Sequence, residues 1–265
     1  MPEGDTIWKT AYTLRRALAG RRVDAVHATV PLRRRPERGT TVRDVEARGK
    51  HLLIRFDDGS VLHTHMRMRG SWHVYRSGEP WRARACAMRV AIEAGGVQAV
   101  CFSAPVVEIL DERDLARHPS LGSLGPDLTA PDPDLAEASR RLGSCGAVEV
   151  GVALLDQRVV AGIGNVYKSE VLFACRVDPF VSVSALDEPT RASIVATAAR
   201  MLRSNAERPG PRSTTARGRT AVYGHAGRPC ARCGTRIDAR RQGEQARVTY
   251  WCPSCQRTPT TSRPM

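Results

Sequence analysis

The sequence predicts an α+β protein of two domains, and three observations carry that reading. Between residues 22 and 111, about eight short runs rich in β-branched and apolar residues are separated by turn residues, at the spacing of a β-sandwich. Residues 118–134 (HPSLGSLGPDLTAPDPD) then break all periodicity with Pro, Gly, Ser and Asp, as domain boundaries do. Beyond that break the apolar spacing becomes helical, until two Cys-x-x-Cys pairs bracket a short strand near the end of the chain. The expected limits are 1–120 for a β-sandwich domain with an N-terminal helix and 121–135 for a linker. A helical domain follows at 136–225, then a Cys₄ zinc β-hairpin at 226–258 and a flexible tail at 259–265.

The N-terminal helix is read from Ile7, Ala11, Leu14 and Leu18 at helical spacing, with Gly20 as its stop. It opens on Met-Pro-Glu-Gly-Asp-Thr-Ile-Trp-Lys. Pro and an acid suit a first helical turn for purely structural reasons. Removal of Met1 would also leave Pro2 as a secondary amine. A free α-amine has a pKa near 8, and the positive end of a helix dipole should depress it further. A useful fraction would then be an uncharged nucleophile able to form an imine.

The strands follow as 23–27, 41–45, 51–56, 61–65, 71–75, 85–92, 97–102 and 106–110, with Asp57-Asp58-Gly59 as one of the turns. Lys50 lies in Arg48-Gly49-Lys50, where Gly49 lets the chain turn before an apolar strand. The loop His65-Met66-Arg67-Met68-Arg69-Gly70 sets Met68 between arginines. Met68 reads either as core filler or as an apolar wedge for a base stack, with Arg67 or Arg69 meeting phosphate. His63 and His65 share a strand face, but two histidines without a third ligand read as structural.

In the second domain a helix is expected over 148–160, joined through Ala-Gly-Ile-Gly-Asn (161–165) to another over 166–175. Such a glycine-rich turn can aim a helix N-terminus at a phosphate, and Asn165 at that position can also simply cap the helix. A further helix is expected over about 188–206, followed by a basic Gly/Pro-rich loop, 208–228, suited to lying against nucleic acid.

Composition narrows the function. A net charge of +14 favours an anionic partner, nucleic acid first. No apolar run approaches the length of a membrane span and no signal peptide precedes the opening motif, so a soluble cytoplasmic protein is expected. Only three of the 41 basic residues are Lys, at Lys9, Lys50 and Lys168. In so Arg-rich a chain, a retained Lys hints that an ammonium is needed. Cys230, Cys233, Cys252 and Cys255 have the spacing of a closed structural zinc site, with the strand Arg247-Val248-Thr249-Tyr250-Trp251 between the pairs. Pro229-Cys230-Ala231-Arg232-Cys233 also matches half of the zinc-deaminase signature, but none of the seven histidines has Glu two residues later, which excludes that enzyme.

Taken together in this order, Pro-Glu-Gly at the terminus, Arg-Gly-Lys before a strand, Gly-Ile-Gly-Asn between helices and the Cys₄ hairpin resemble the formamidopyrimidine-DNA glycosylase and endonuclease VIII family. The likeness extends over nearly the whole chain. It is closer to the endonuclease VIII branch through Pro2-Glu3-Gly4, His118-Pro119, Gly125-Pro126-Asp127 and Tyr250-Trp251-Cys252-Pro253.

The resemblance implies a bifunctional glycosylase and abasic-site lyase of base-excision repair, with a helix–two-turn–helix motif in its second domain. It would be a monomer of bacterial, nucleoid-associated type, acting on damaged double-stranded DNA and not on a membrane. Pro2 would be the nucleophile, Glu3 the acid/base and Lys50 a phosphate contact assisting proton transfer, with strand cleavage by β,δ-elimination. Met68 with Arg67, Asn165 and Arg247 would contact DNA. One Zn²⁺ would be structural, with no cofactor for catalysis. Asp5 and Thr6 stand where the family commonly has Pro-Glu. The missing arginine–phenylalanine void-filling pair and the short loop before the zinc module favour oxidised pyrimidines over 8-oxoguanine. A non-catalytic DNA-binding protein on the same scaffold is the reading from another class.

Overall fold

The computed structural model describes residues 2–208, 212, 214 and 220–257. The expected tail, 259–265, and residues 209–211, 213 and 215–219 of the basic loop lie outside the described residues. The chain forms two compact units, Met1–Ser123 and Leu124–Met265. No described helix is long and apolar enough to cross a membrane.

The first unit opens with α1 (Gly4–Leu18), whose Ile7, Ala11, Leu14 and Leu18 are all buried. Burying each of the three large side chains contributes about 1.5–3 kcal/mol, so the helix is held by one face. Gly20 ends it with φ +78°, a conformation that costs a glycine little. The eight strands are β1 (Val23–Ala28), β2 (Val42–Arg48), β3 (His51–Phe56), β4 (Val61–His65), β5 (Ser71–Arg76), β6 (Met88–Ala94), β7 (Val97–Phe102) and β8 (Val106–Leu110). They form two antiparallel four-stranded sheets, ordered β1-β6-β7-β5 and β2-β3-β4-β8. Leu52, Ile54, Leu62 and Ile109 from one sheet, Val90, Ile92, Ala99 and Cys101 from the other, and the buried face of α1 make a single core. Because strand side chains alternate, the opposite face of the second sheet carries His51, Leu53, His63, His65 and Glu108. His63 is paired with both Leu53 and Glu108.

A short helix that the strand-dominated reading of this half leaves out, α2 (Glu112–Arg117), follows β8. It is fixed by a capping box in which Asp111 accepts the Asp114 N–H and Asp114 accepts the Asp111 N–H.

The second unit contains α3 (Leu135–Gly143), α4 (Val150–Ala153), α5 (Asn165–Ala174), α6 (Glu188–Glu207) and the hairpin β9 (Asp238–Gln242) and β10 (Arg247–Trp251). Leu142, Val150, Leu154, Tyr167, Val171, Ile194, Ala198 and Leu202 are among its buried core residues. The expected 148–160 helix is a correction: only its first turn, α4, is helical. Beyond it polar side chains capture the backbone. Asp156 accepts the Arg158 N–H, and Gln157 donates to the Leu155 and Ile163 carbonyls while accepting the Gly162 N–H. These bonds wind the chain into the turn that enters α5. Within 118–134, Leu121 and Leu128 are fully buried, and Gly125 donates to the Gln157 carbonyl.

Candidate active site and nucleic-acid interface

In the first unit, Glu3 occupies the N-cap position of α1 with extended backbone, and its carbonyl accepts the Thr6 and Ile7 N–H groups. Its carboxyl is fully buried, while Pro2 beside it is half-buried. Asp5, also buried, accepts a hydrogen bond from the Thr6 hydroxyl at 3.2 Å. α1 packs against β2, where a two-point Arg15–Asp44 pair joins them at 2.6 and 3.1 Å. β2 leads directly into the turn bearing Lys50. Arg48 pairs with His51 across a two-residue loop in which Gly49 takes φ +59°. Such a loop matches strand twist when Gly is its first residue. Lys50 is thereby displayed at a hairpin tip instead of being drawn into the sheet.

The 65–70 loop separates its two methionines. Met66 is buried in the core and Met68 is 59% exposed at the tip, so the core-filler reading fits Met66 and not Met68. Three features set the loop. Arg67 lies in the left-handed region (φ +43°), its N–H donates to His65 Nδ1 at 3.1 Å, and Gly70 donates to the Met66 carbonyl at 2.8 Å. A Cβ on Gly70 would sit 2.7 Å from Met66 Cα, so the closure requires glycine. Arg67 and Arg69 are both exposed.

The histidines were the least legible feature of this unit. His51 Nδ1 lies 2.8 Å from His63 Nε2, and His63 Nδ1 lies 2.7 Å from Glu108 Oε1. His118 Nε2 lies 3.0 Å from the same carboxylate oxygen. Burial holds His51 down to about 2, with the charges of His65, His63, His118 and Lys50 adding to the effect. His65 is held down to about 4, chiefly by burial and then by His63, Lys50 and Arg67. Burial also lowers His63, against the opposing pull of Glu108. His51, His63 and His65 are therefore neutral at pH 7.

In the second unit, Gly164 and not Asn165 holds the N-cap position of α5, so Asn165 does not cap the helix. Asn165 Nδ2 instead donates to the Val248 carbonyl at 2.7 Å, tying the start of α5 to the residue after Arg247. Arg247 opens β10 opposite Gln242 and is half-buried. Behind this contact, the fully buried Lys168 donates to Thr249 Oγ1 at 2.5 Å, and Thr249 donates to Gln242 Oε1 at 2.7 Å. Gln242 Nε2 donates to Glu149 and to the Pro179 carbonyl, both at 2.8 Å. The chain of polar bonds fixes the hairpin on α5. The four cysteine Sγ atoms lie within 4.8 Å of one another, with Cys230–Cys255 at 4.0 Å and Cys233–Cys252 at 3.5 Å. Four thiolates about 2.3 Å from a tetrahedral zinc stand about 3.8 Å apart, so this cluster has the dimensions to hold one metal ion.

Known proteins agree with both halves of this architecture. Residues 1–116 match the formamidopyrimidine-DNA glycosylase N-terminal domain, and residues 124–216 match the formamidopyrimidine-DNA glycosylase H2TH domain. A Streptomyces coelicolor protein named probable endonuclease 8 2 is 43% identical over 98% of this chain and 95% of its own. A Mycolicibacterium smegmatis protein named DNA-(apurinic or apyrimidinic site) lyase Nei2 is 39% identical over 97% of this chain and 99% of its own. Lactococcus lactis Fpg, solved in complex with abasic-site DNA, superposes with a TM-score of 0.83 over 97% of this chain and 100% of its own, at 22% identity. The β-sandwich with its leading helix, the helix–two-turn–helix unit and the terminal cysteine hairpin are thus one known scaffold. The chain belongs to the formamidopyrimidine-DNA glycosylase and endonuclease 8 family.

Proposed function

We propose that the protein is a bifunctional DNA glycosylase and abasic-site lyase of base-excision repair, acting on damaged double-stranded DNA through an imine on Pro2. The enzyme class is that of relatives named endonuclease 8 and DNA-(apurinic or apyrimidinic site) lyase. The observation that carries the mechanism is the placement of Pro2 beside the buried carboxyl of Glu3 at the positive end of α1.

With Met1 removed, the uncharged Pro2 amine attacks C1′ of the damaged nucleotide. The base departs, Glu3 assists opening of the sugar ring, and uptake of one proton leaves a cationic imine. That cation acidifies the C2′ proton. Loss of this proton breaks the C3′–O bond, whose electron pair leaves with the phosphate; a second elimination releases the other phosphate. Lys50 binds phosphate and assists proton transfer. Met68, projecting from a loop whose shape is already set, fills the space vacated by the extruded base, flanked by Arg67. In the second unit, the start of α5 with Asn165 and the hairpin with Arg247 hold the duplex backbone. Cys230, Cys233, Cys252 and Cys255 would hold one Zn²⁺ through four thiolates, and the part of that ion would be structural, to hold the hairpin. Oxidised pyrimidines are the favoured substrates.

The test is borohydride trapping on an abasic-site duplex, with removal of Met1 verified by mass spectrometry. Wild type should give a covalent adduct, and Pro2→Gly should lose most of it. No adduct from correctly processed wild type would overturn the mechanism.

A further inference from the structure

Resting on the lyase reading above, we propose that His51, His63 and Glu108 form a proton-conducting chain between Lys50 and solvent. The three residues come from β3, β4 and β8, and share the sheet face turned away from the sandwich core. Their hydrogen bonds permit one set of tautomers. Ionised Glu108 only accepts, so His63 Nδ1 carries a proton toward it at 2.7 Å and His63 Nε2 is a lone pair. His51 Nδ1 must then be the donor in the 2.8 Å bond to His63 Nε2. Both bonds point the same way, from the residue adjoining Lys50 toward Glu108. The Glu108 side chain is 37% exposed and lines a surface groove with Arg33, Arg117 and His118. The other end, His51, is buried and directly follows Lys50 at the hairpin turn, and this end meets water.

The neighbouring histidines are fixed in ways that keep them out of the path. His118 Nδ1 accepts the backbone N–H groups of Ser120 and Leu121, both at 3.2 Å, so its Nε2 is protonated and donates to Glu108. That arrangement also argues against a cation among His63, Glu108 and His118, whose ligand atoms lie within 4.8 Å of one another. A metal would require the Nε2 lone pair that this tautomer lacks. His65 stands edge-on to His51, with ring centroids 4.7 Å apart, and its Nδ1 is occupied by the Arg67 N–H.

The proton count closes. Imine formation from an amine and a sugar aldehyde takes up one proton and releases water. β-Elimination returns one proton, from C2′, as the C3′–O electrons leave with the phosphate. On the outward passage Lys50 hands a proton to His51 Nε2, His51 Nδ1–H passes to His63 Nε2, and His63 Nδ1–H passes to Glu108 and on to water. The inward passage runs in reverse and restores the starting tautomers. The neutral resting state of His51 and His63, which face Lys50, His65, His118 and Glu108, means that the chain carries a proton without storing it.

The test exploits the shared acceptor. Because His63 and His118 both donate to Glu108 Oε1, Glu108→Gln keeps both bonds through its amide oxygen but cannot accept a proton. In single-turnover cleavage of an abasic-site duplex, Glu108→Gln should be at least tenfold slower than wild type, with the final yield of borohydride adduct preserved. Added formate should restore the rate of Glu108→Ala. An unchanged rate in folded Glu108→Gln, or a slow Glu108→Ala that formate does not accelerate, would overturn the chain. A measurement on wild type guards against variants that do not fold. Cleavage rates in mixtures of light and heavy water should curve with deuterium fraction, since several protons move together, and a straight line would also overturn it. Absence of any adduct from wild type would instead remove the lyase reading on which the chain rests.

Discussion

Thr249→Val is the most informative single change in the second unit, because it is nearly isosteric and removes one buried hydroxyl from the centre of a polar chain. In the native protein that hydroxyl accepts from Lys168 Nζ at 2.5 Å and donates to Gln242 Oε1 at 2.7 Å, and all three residues are buried. Valine leaves the ammonium without this acceptor and the amide oxygen without this donor. A hydrogen bond to a charged group contributes about 1.5–3 kcal/mol, and a buried acceptor that loses its partner costs about 1–3 kcal/mol. The expected destabilisation is therefore about 3–5 kcal/mol. At about 2–4 °C per kcal/mol for a domain of this size, the transition of the second unit should fall by roughly 6–20 °C in calorimetry. Thr249→Ser keeps the hydroxyl and loses one methyl, for about 0.8 kcal/mol. DNA affinity should follow the hairpin, falling in the valine variant and not in the serine one. A valine variant within about 1 kcal/mol of wild type would refute the assignment of this chain as the hairpin's anchor.

Three further outcomes are expected. Metal analysis should find one zinc per folded chain; its removal by a chelator should weaken duplex binding, and folded protein with well under one equivalent of metal would contradict the Cys₄ site. Acid should destabilise the first unit earlier than carboxylate protonation alone allows. His51 (about 2) and His65 (about 4) are neutral when folded but take up protons near 6.5 when unfolded, so their contribution is whole above pH 6.5 and is lost as pH falls toward the folded values. At about 1.4 kcal/mol per pH unit for each imidazole below its unfolded pKa, the loss between pH 7 and pH 5 is about 4 kcal/mol, and equal denaturation midpoints at pH 7 and pH 5 would exclude it. Arg247→Ala should weaken DNA binding and reduce the salt slope, log K against log salt, by about 0.9; an unchanged slope would count against a phosphate contact.

What the sequence made legible is what local chemistry decides. The strands 51–56, 61–65, 97–102, 106–110 and 247–251 fall where alternation and turn residues put them, and the 188–207 helix is nucleated by Asp187, which accepts the Thr190 N–H. α2 and α3 went unread although both carry cap signals, Asp111-x-x-Asp114 and Asp134-x-x-Glu137. Their short apolar faces give little periodicity. The 148–160 segment misled in the opposite direction, because its apolar run masks the Asp156 and Gln157 side chains that stop the helix. The His51–His63–Glu108–His118 constellation had no local signature. It exists only through cross-strand register, which places residues 51, 63 and 108 on one face, and through the turn after α2, which brings His118 to the same carboxylate.

Lysine usage ties the two units to a common physical argument. An Arg-rich chain that keeps Lys50 and Lys168 keeps them in places where a guanidinium would fail for different reasons. At 168 the space is closed: the side chain is fully buried and its nitrogen meets a hydroxyl at 2.5 Å, leaving no room for a planar five-donor fork. At 50 the residue stands half-buried at a hairpin tip. What distinguishes lysine there is that its amine can lose a proton, whereas a guanidinium stays charged at any working pH. Lys50→Arg should therefore retain abasic-site DNA binding while slowing strand cleavage at least tenfold, and Lys168→Arg should lower the melting temperature of the second unit. A Lys50→Arg enzyme that cleaves at the wild-type rate would show that charge alone is required at the tip, and would leave the imidazole chain behind it with no proton to carry.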